Sequence, residues 1–445
     1  MQQYPKAIIW MMVALFALAL AACGGEEAAP EPTAPVEAQQ PAATEAAVVT
    51  LPPPIIAGEI LPTPTLAPEE GQVAGETAPT EVPEISGPFP ADQFGYGIQI
   101  HGNATVGNPA DTMTAVHDQL GMDWVKAQIQ WWLVEPDADP STEQWFFYDA
   151  VIDEAHNKGL RLMVSVVGAP AWTRAAGGEN GPPDDYNEYA RFLGELIDRH
   201  PGKIDAIEVW NEQNLDREWT SVNGISPEDY VRFLQVAHDA IKAKDPNIIV
   251  ISGALSPTGT GDWIKWADDF EYMDRALAAG MLNYADCVGA HHNGYNIGPD
   301  VAYDQTGASP KAATATFRGP FDNPHHSWSF YTTINTYADK VQAVDPNKKL
   351  CVTEFGWATS EGYTEYPAGF EFALDNTLQD QATYVVQAFN QMNESDDVWL
   401  AFLFNFDFGN KGGGPTDDPT PYSIIDTQGM PRPAFDALAA MPKSQ

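Results

Sequence analysis

Basic residues are scarce in this chain: 22 Lys and Arg stand against 62 Asp and Glu in 445 residues, a formal charge of −40. A nucleic-acid partner is excluded on that ground, because polyanions are bound through basic clusters that release counterions, and no such cluster occurs. Anionic membrane surfaces are disfavoured for the same reason. Cysteine is nearly absent too. Cys23, Cys287 and Cys351 allow one bridge at most, so packing rather than a disulfide framework must hold the chain together. Cys287 and Cys351 read by default as buried thiols, with a bridge between them left open. A glycine-rich phosphate loop is missing. Aromatics, by contrast, are plentiful: 13 Trp, 16 Tyr and 20 Phe supply both a large core and flat surfaces for a cleft.

The apolar run from Ala7 to Ala22 has 16 residues, fewer than the roughly 20 that cross a bilayer. It ends in Leu20-Ala21-Ala22-Cys23, so residues 1–22 read as a secretory signal. Small residues before a cysteine resemble the bacterial lipobox. That implies lipidation at Cys23, an extracytoplasmic location on the cell envelope, and no membrane contact besides the lipid. Residues 23–90 read as a disordered Pro/Ala/Glu-rich tether, with no Lys, Arg or aromatic before Phe89. The folded part is expected over 91–445, and a monomer is expected.

From Gly95 onward, short apolar or β-branched runs alternate with amphipathic stretches, the βα signature of a parallel sheet. Eight runs stand out: Tyr96–Ile100, Trp124–Gln130, Leu160–Val167, Ile204–Asn211, Ile248–Gly253, Cys287–His291, Leu350–Glu354 and Val398–Asn405. Helix ends are legible between them, at Asp185, at Ser226-Pro227 and at Gly159. Eight strands over some 350 residues predict an α/β fold, a (β/α)8 TIM barrel with enlarged loops, whose function gathers at the strand C-termini. Asn211-Glu212 and Glu354 fall there. A carboxylate at the end of an apolar strand is costly unless partnered or used, and a facing pair suits work on a glycosidic bond.

Val209-Trp210-Asn211-Glu212-Gln213-Asn214 and Val352-Thr353-Glu354-Phe355-Gly356-Trp357 resemble the two signatures of the clan A retaining glycoside hydrolases, cellulase-like, of the family 39 and family 5 type. The resemblance implies a retaining β-glycosidase acting on a polysaccharide or oligosaccharide, with Glu212 as acid/base and Glu354 as nucleophile. It implies Asn211 as donor to the sugar 2-hydroxyl and His291 in the site, followed by Tyr295 on the nucleophile. Trp172, Trp219 and Trp357 match the pattern as cleft aromatics. Lys126 stands where many members carry Arg, and Phe404 where many carry Trp. Retention requires the two carboxyls roughly 5 to 5.5 Å apart, and the acid role requires a raised pKa at Glu212. No metal and no organic cofactor is expected, since adjacent His291 and His292 on a strand point to opposite faces. Two alternatives keep the same barrel: a non-catalytic carbohydrate-binding lipoprotein, and a transglycosylase. The stretch from Asn296 to His326 reads as a lid or cleft wall.

Overall fold

The computed structural model describes residues 87–443; the predicted signal, Cys23 and nearly all of the predicted tether lie outside them. The eight predicted runs form eight parallel strands: β1 Gly95–Gln99, β2 Trp124–Gln130, β3 Arg161–Val167, β4 Ala206–Val209, β5 Ile249–Ser252, β6 Val288–Gly294, β7 Leu350–Trp357 and β8 Val398–Leu403. Their order is β5-β4-β3-β2-β1-β8-β7-β6. The remaining seam between β5 and β6 is closed by parallel bridges Ile251↔Cys287 and Leu255↔Ala290. The fold is therefore a (β/α)8 barrel. Gly289 permits the seam, since a Cβ there would sit 2.0 Å from the Ser252 carbonyl oxygen.

The helices begin and end where local chemistry directs. Ser226 accepts from the Asp229 amide to open Pro227–Lys244, Asp185 accepts from Asn187 to open Tyr186–Arg199, and Gly159, at φ 81°, ends Asp149–Lys158. Each supplies the acceptor for a free amide N–H, or the left-handed residue, that a helix terminus needs.

Strand alternation sorts the barrel interior into layers. At the N-terminal end Trp124, Met163, Ala206, Cys287, Cys351 and Phe402 form an apolar plug. Two residues further along β2, β3, β4 and β7 stand Lys126, Ser165, Glu208 and Thr353, all 0% exposed. An apolar floor thus carries a charged storey beneath the mouth. Gly97 leaves room for the floor, its missing Cβ lying 2.3 Å from the Phe402 ring. Packing begins ahead of the expected boundary at 91: Phe89 is buried edge-on against Trp124 at 5.4 Å, and the Trp399 indole donates to the Pro90 carbonyl at 2.8 Å.

Cys287 and Cys351 are bridged, which settles the alternative left open by sequence and corrects the default of free thiols. Their neighbouring strands bring the Cα atoms to 5.8 Å, inside the range that a disulfide spans. Because the bridge closes a loop of 64 residues, replacing both cysteines with serine is expected to lower unfolding free energy by about 4 kcal/mol. Urea denaturation of the two proteins reads this directly.

Candidate active site

Asn211 and Glu212 leave β4 through two left-handed residues, with φ 77° at Trp210 and 41° at Glu212. Side chains other than glycine disfavour that region, at a cost of order 1–3 kcal/mol, and such residues gather at functional sites. The first reversal lets the Trp210 ring pack outward on Tyr189, Trp219 and Phe233. At the second, the Glu212 amide donates to the Ala254 carbonyl at 2.9 Å and the carboxyl reaches His291, whose Nδ1 lies 3.3 Å away.

Glu354 is aimed by a bulge. Strands β6 and β7 pair Ala290 with Val352 and then His291 with Glu354, so Thr353 is an extra residue on β7. Plain alternation from Cys351 would send Thr353 inward and Glu354 outward. The bulge brings both inside: Thr353 Oγ1 donates to Glu208 at 2.6 Å, and Glu354 accepts from Lys126 Nζ at 3.1 Å. Phe355 and Trp357 then face outward onto the helices Phe330–Val344 and Leu378–Ser395.

Lys126 is the hub beneath these groups. Its ammonium contacts Glu354 at 3.1 Å and Glu208 at 3.3 Å, and donates to the Thr353 carbonyl at 3.1 Å. Burial alone would lower its pKa, but the two carboxylates reverse the effect and raise it. Glu208, also hydrogen-bonded by Ser165, is held below the ordinary carboxylate range by Lys126 and His291 against the opposing effect of burial. His291 is itself pushed up: burial opposes its charge, while the Glu354 charge and the Glu212 hydrogen bond favour it. Asn293 completes the surroundings of Glu354, its amide 3.5 Å from Oε2.

Glu212 carries an unexpected partner. Arg217 Nη2 lies 2.7 Å from Oε2, opposite the His291 contact. Burial pushes the Glu212 carboxyl up, yet the His291 hydrogen bond and the Arg217 charge outweigh it and bring the pKa down to about 2. The raised acid/base pKa expected from the sequence is thus reversed in this arrangement. Glu218, on the same loop, is instead pushed up to about 7 by burial and by the charges of Glu212 and Glu354.

The remaining sequence-predicted residues divide. Asn211 is buried beside Glu212; it hydrogen-bonds Glu218 and leaves its Oδ1 without a hydrogen-bond partner. His291, rather than His292, faces the carboxylates, while His292 lies in the core with Nε2 on the Ser327 carbonyl, and burial brings it down to about 4. Tyr295 joins an aromatic wall with Trp328, Phe317 and Phe372. The contacts around Glu354 come instead from Lys126 and Asn293. Trp172 lies on the loop after β3, 37% exposed, its indole donating to the Glu135 carbonyl at 3.1 Å. Trp219 and Trp357 are not cleft residues. Trp219, 0% exposed, packs against Trp210, Tyr230 and Phe233, and Trp357 is sealed with its indole on the Ile297 carbonyl.

The long segment after β6 is a wall anchored by the loop after β7, with Asp375 accepting from Asn296, Thr316 and Phe317 at 2.7 to 2.9 Å. Glu135, Glu143 and Glu195 converge at one side. Arg191 and the indoles of Trp131 and Trp145 donate to them, so each of the three carboxyls has a hydrogen-bonding partner within the fold. Glu208, Arg217, Glu218 and Asn293 were missed from sequence. Glu208 had a signal, a carboxylate between Ile207 and Val209 in an apolar strand; Arg217 and Glu218 sit in an irregular loop where no periodicity marks them.

Two measurements follow from these charges. Lys126→Met strands two buried carboxylates and is expected to cost about 3–5 kcal/mol in denaturant unfolding. Glu212 titrates at 4.5 when unperturbed and near 2 in the folded chain, so its contribution to stability is present above pH 4.5 and is lost as pH falls towards 2. Comparing unfolding free energies of the wild type and Glu212→Gln across that window isolates the slope.

No family model and no curated protein matches the chain. Solved structures do. A family 39 glycoside hydrolase from Bacteroides cellulosilyticus superposes with a TM-score of 0.55 at 17% identity, over 79% of this chain and 64% of that one. A GH39 enzyme from Xanthomonas axonopodis pv. citri gives 0.53 at 17%, over 80% and 67%. A monomeric beta-xylosidase from Caulobacter crescentus gives 0.52 at 17%, over 80% and 68%. The chain thus spans about two thirds of the length of these structures, and it shares with them the barrel fold found in clan A glycoside hydrolases.

Proposed function

We propose that this protein is a retaining glycoside hydrolase that cleaves β-linked polysaccharide or oligosaccharide through a glycosyl-enzyme intermediate. The observation that carries the reading is the meeting of Glu212 from the end of β4 and Glu354 from the bulge of β7 at His291. That histidine hydrogen-bonds the one at 3.3 Å and is the strand partner of the other. In the first step a Glu354 oxygen bonds to the anomeric carbon as the glycosidic bond breaks, and Glu212 gives its proton to the departing oxygen. In the second, water attacks the same carbon, Glu212 takes the water proton, and the Glu354 ester is released. Lys126 and Asn293 hold Glu354 in position. The wall of Tyr295, Phe317 and Trp328 and the exposed Trp172 on the loop after β3 offer aromatic faces to sugar rings.

The lipid anchor at Cys23 and the extracytoplasmic location belong to the same proposal and rest on the sequence pattern. The Cys287–Cys351 bridge supports them, because disulfides persist in oxidising compartments.

The test is product release on a panel of β-glucans, xylan and mannan, with the configuration of fresh product followed by NMR. Retention is expected, with turnover abolished in Glu354→Gln. Glu212→Ala is expected to lose about 100- to 10,000-fold and to recover with azide. Glycan binding without turnover, unaffected by either substitution, would instead identify a carbohydrate-binding protein.

A further inference from the structure

The loop leaving β4 carries a second carboxyl beside the acid/base. Turns from Leu215 to Glu218 and Trp219, at 3.1 and 2.8 Å, fold the chain back, and the Trp210 indole fixes the Glu218 carbonyl at 2.8 Å. The side chain of Asn211 holds the Glu218 carboxyl. Between the two acids lies Arg217, with Nη2 2.7 Å from Glu212 and Nε 3.7 Å from Glu218. One guanidinium therefore faces two carboxyls, closed on Glu212 and standing off Glu218.

Double displacement asks Glu212 for two protonation states, an acid and then a base. With both Arg217 and His291 upon it, Glu212 is arranged as the base. Next to it stands Glu218, the carboxyl of the pair that holds a proton more readily, since burial and the neighbouring negative charges push it up to about 7. The other charged groups facing the pair are His291 from β6, Glu354 from β7 and Asp418 from the segment after β8, with Lys126 of β2 behind Glu354.

Building on the glycosidase reading, we propose that Arg217 and Glu218 form a proton switch for Glu212: the guanidinium passes from Glu212 to Glu218 as a proton passes from Glu218 to Glu212. Before the exchange Glu218 is the acid and Glu212 the carboxylate paired with Arg217; afterwards the two are reversed and the net charge is unchanged. Closing the Glu218 contact to an ordinary charge-assisted hydrogen bond takes a movement of about 1 Å. The proton of Glu212 then goes to the leaving oxygen. In the second step Glu212 recovers one from water, and its return to Glu218 resets the site. Arg217 and Glu218 are positioning residues, acting through Glu212.

The experiment titrates isotope-labelled glutamate carboxyls of the full chain by NMR, assigned with Glu212→Gln and Glu218→Gln. In Arg217→Gln the Glu212 pKa is expected to rise by about 1–3 units, the effect of losing an adjacent cation, and Arg217→Lys is expected to restore part of the shift. Kinetically, Glu218→Gln is expected to slow glycosides with poor leaving groups about tenfold or more, while a dinitrophenyl glycoside, whose leaving group needs no proton, keeps its rate. A purely structural role would slow both alike, and that result, or an unmoved Glu212 in Arg217→Gln of an active enzyme, overturns the switch. Absence of turnover on every glycan overturns the glycosidase reading and the switch with it, so the two failures are distinguishable.

Discussion

An ammonium group sealed inside a barrel governs much of this architecture. Lys126 has no exposed surface, and neither has Glu208, so their charges must be satisfied by each other and by Glu354. Removing such ions from water costs several kcal/mol each, and the cost is offset only when geometry is good and the remaining lone pairs are bonded. Here Ser165, Thr353 and the Ala254 amide fill the remaining sites on Glu208. The result joins β2, β3, β4 and β7 through one polar storey and sets the orientation of Glu354. The three donors of the lysine are spread over two carboxylates and a carbonyl, whereas a guanidinium would fork onto one.

Above that storey acidic and basic side chains alternate across the mouth: Glu354, His291, Glu212, Arg217, Glu218. His291 is in reach of Glu212 and 3.9 Å from Glu208, so it couples the upper and lower groups. In such a chain no carboxyl titrates on its own, because each proton alters the field at its neighbours. Acid/base work needs a group whose proton affinity can change during the cycle. A guanidinium standing between two carboxyls is one way to provide that change.

The eight strands were legible because their apolar and β-branched runs alternate with helical stretches bounded by plain capping residues such as Ser226 and Asp185. Glu212 and Glu354 were legible because each lies in a compact local motif at a strand end. Trp219 and Trp357 were misplaced for a related reason: position next to a strand end does not tell which way a side chain points. Trp357 lies three residues beyond Glu354, so it takes the opposite, helix-facing side, and Trp219 is folded back by the turn at Leu215 into the aromatic cluster around Phe233. Lys126 could be named from sequence, but its partners could not, because Thr353, Glu354 and Glu208 lie 82 to 228 residues away along the chain and meet only in the closed barrel.

By itself, then, the sequence determined the barrel, its acidic surface and the two carboxylates at the ends of its fourth and seventh strands, since each of these follows from local pattern and composition. The tertiary structure alone decided which way those groups face and which charged neighbours they meet. One extra residue at Thr353 turns Glu354 inward, and a loop return puts Arg217 on Glu212. The physical reason is that side-chain direction and pKa depend on register and on neighbours brought from distant strands, neither of which is written in any short stretch of the chain.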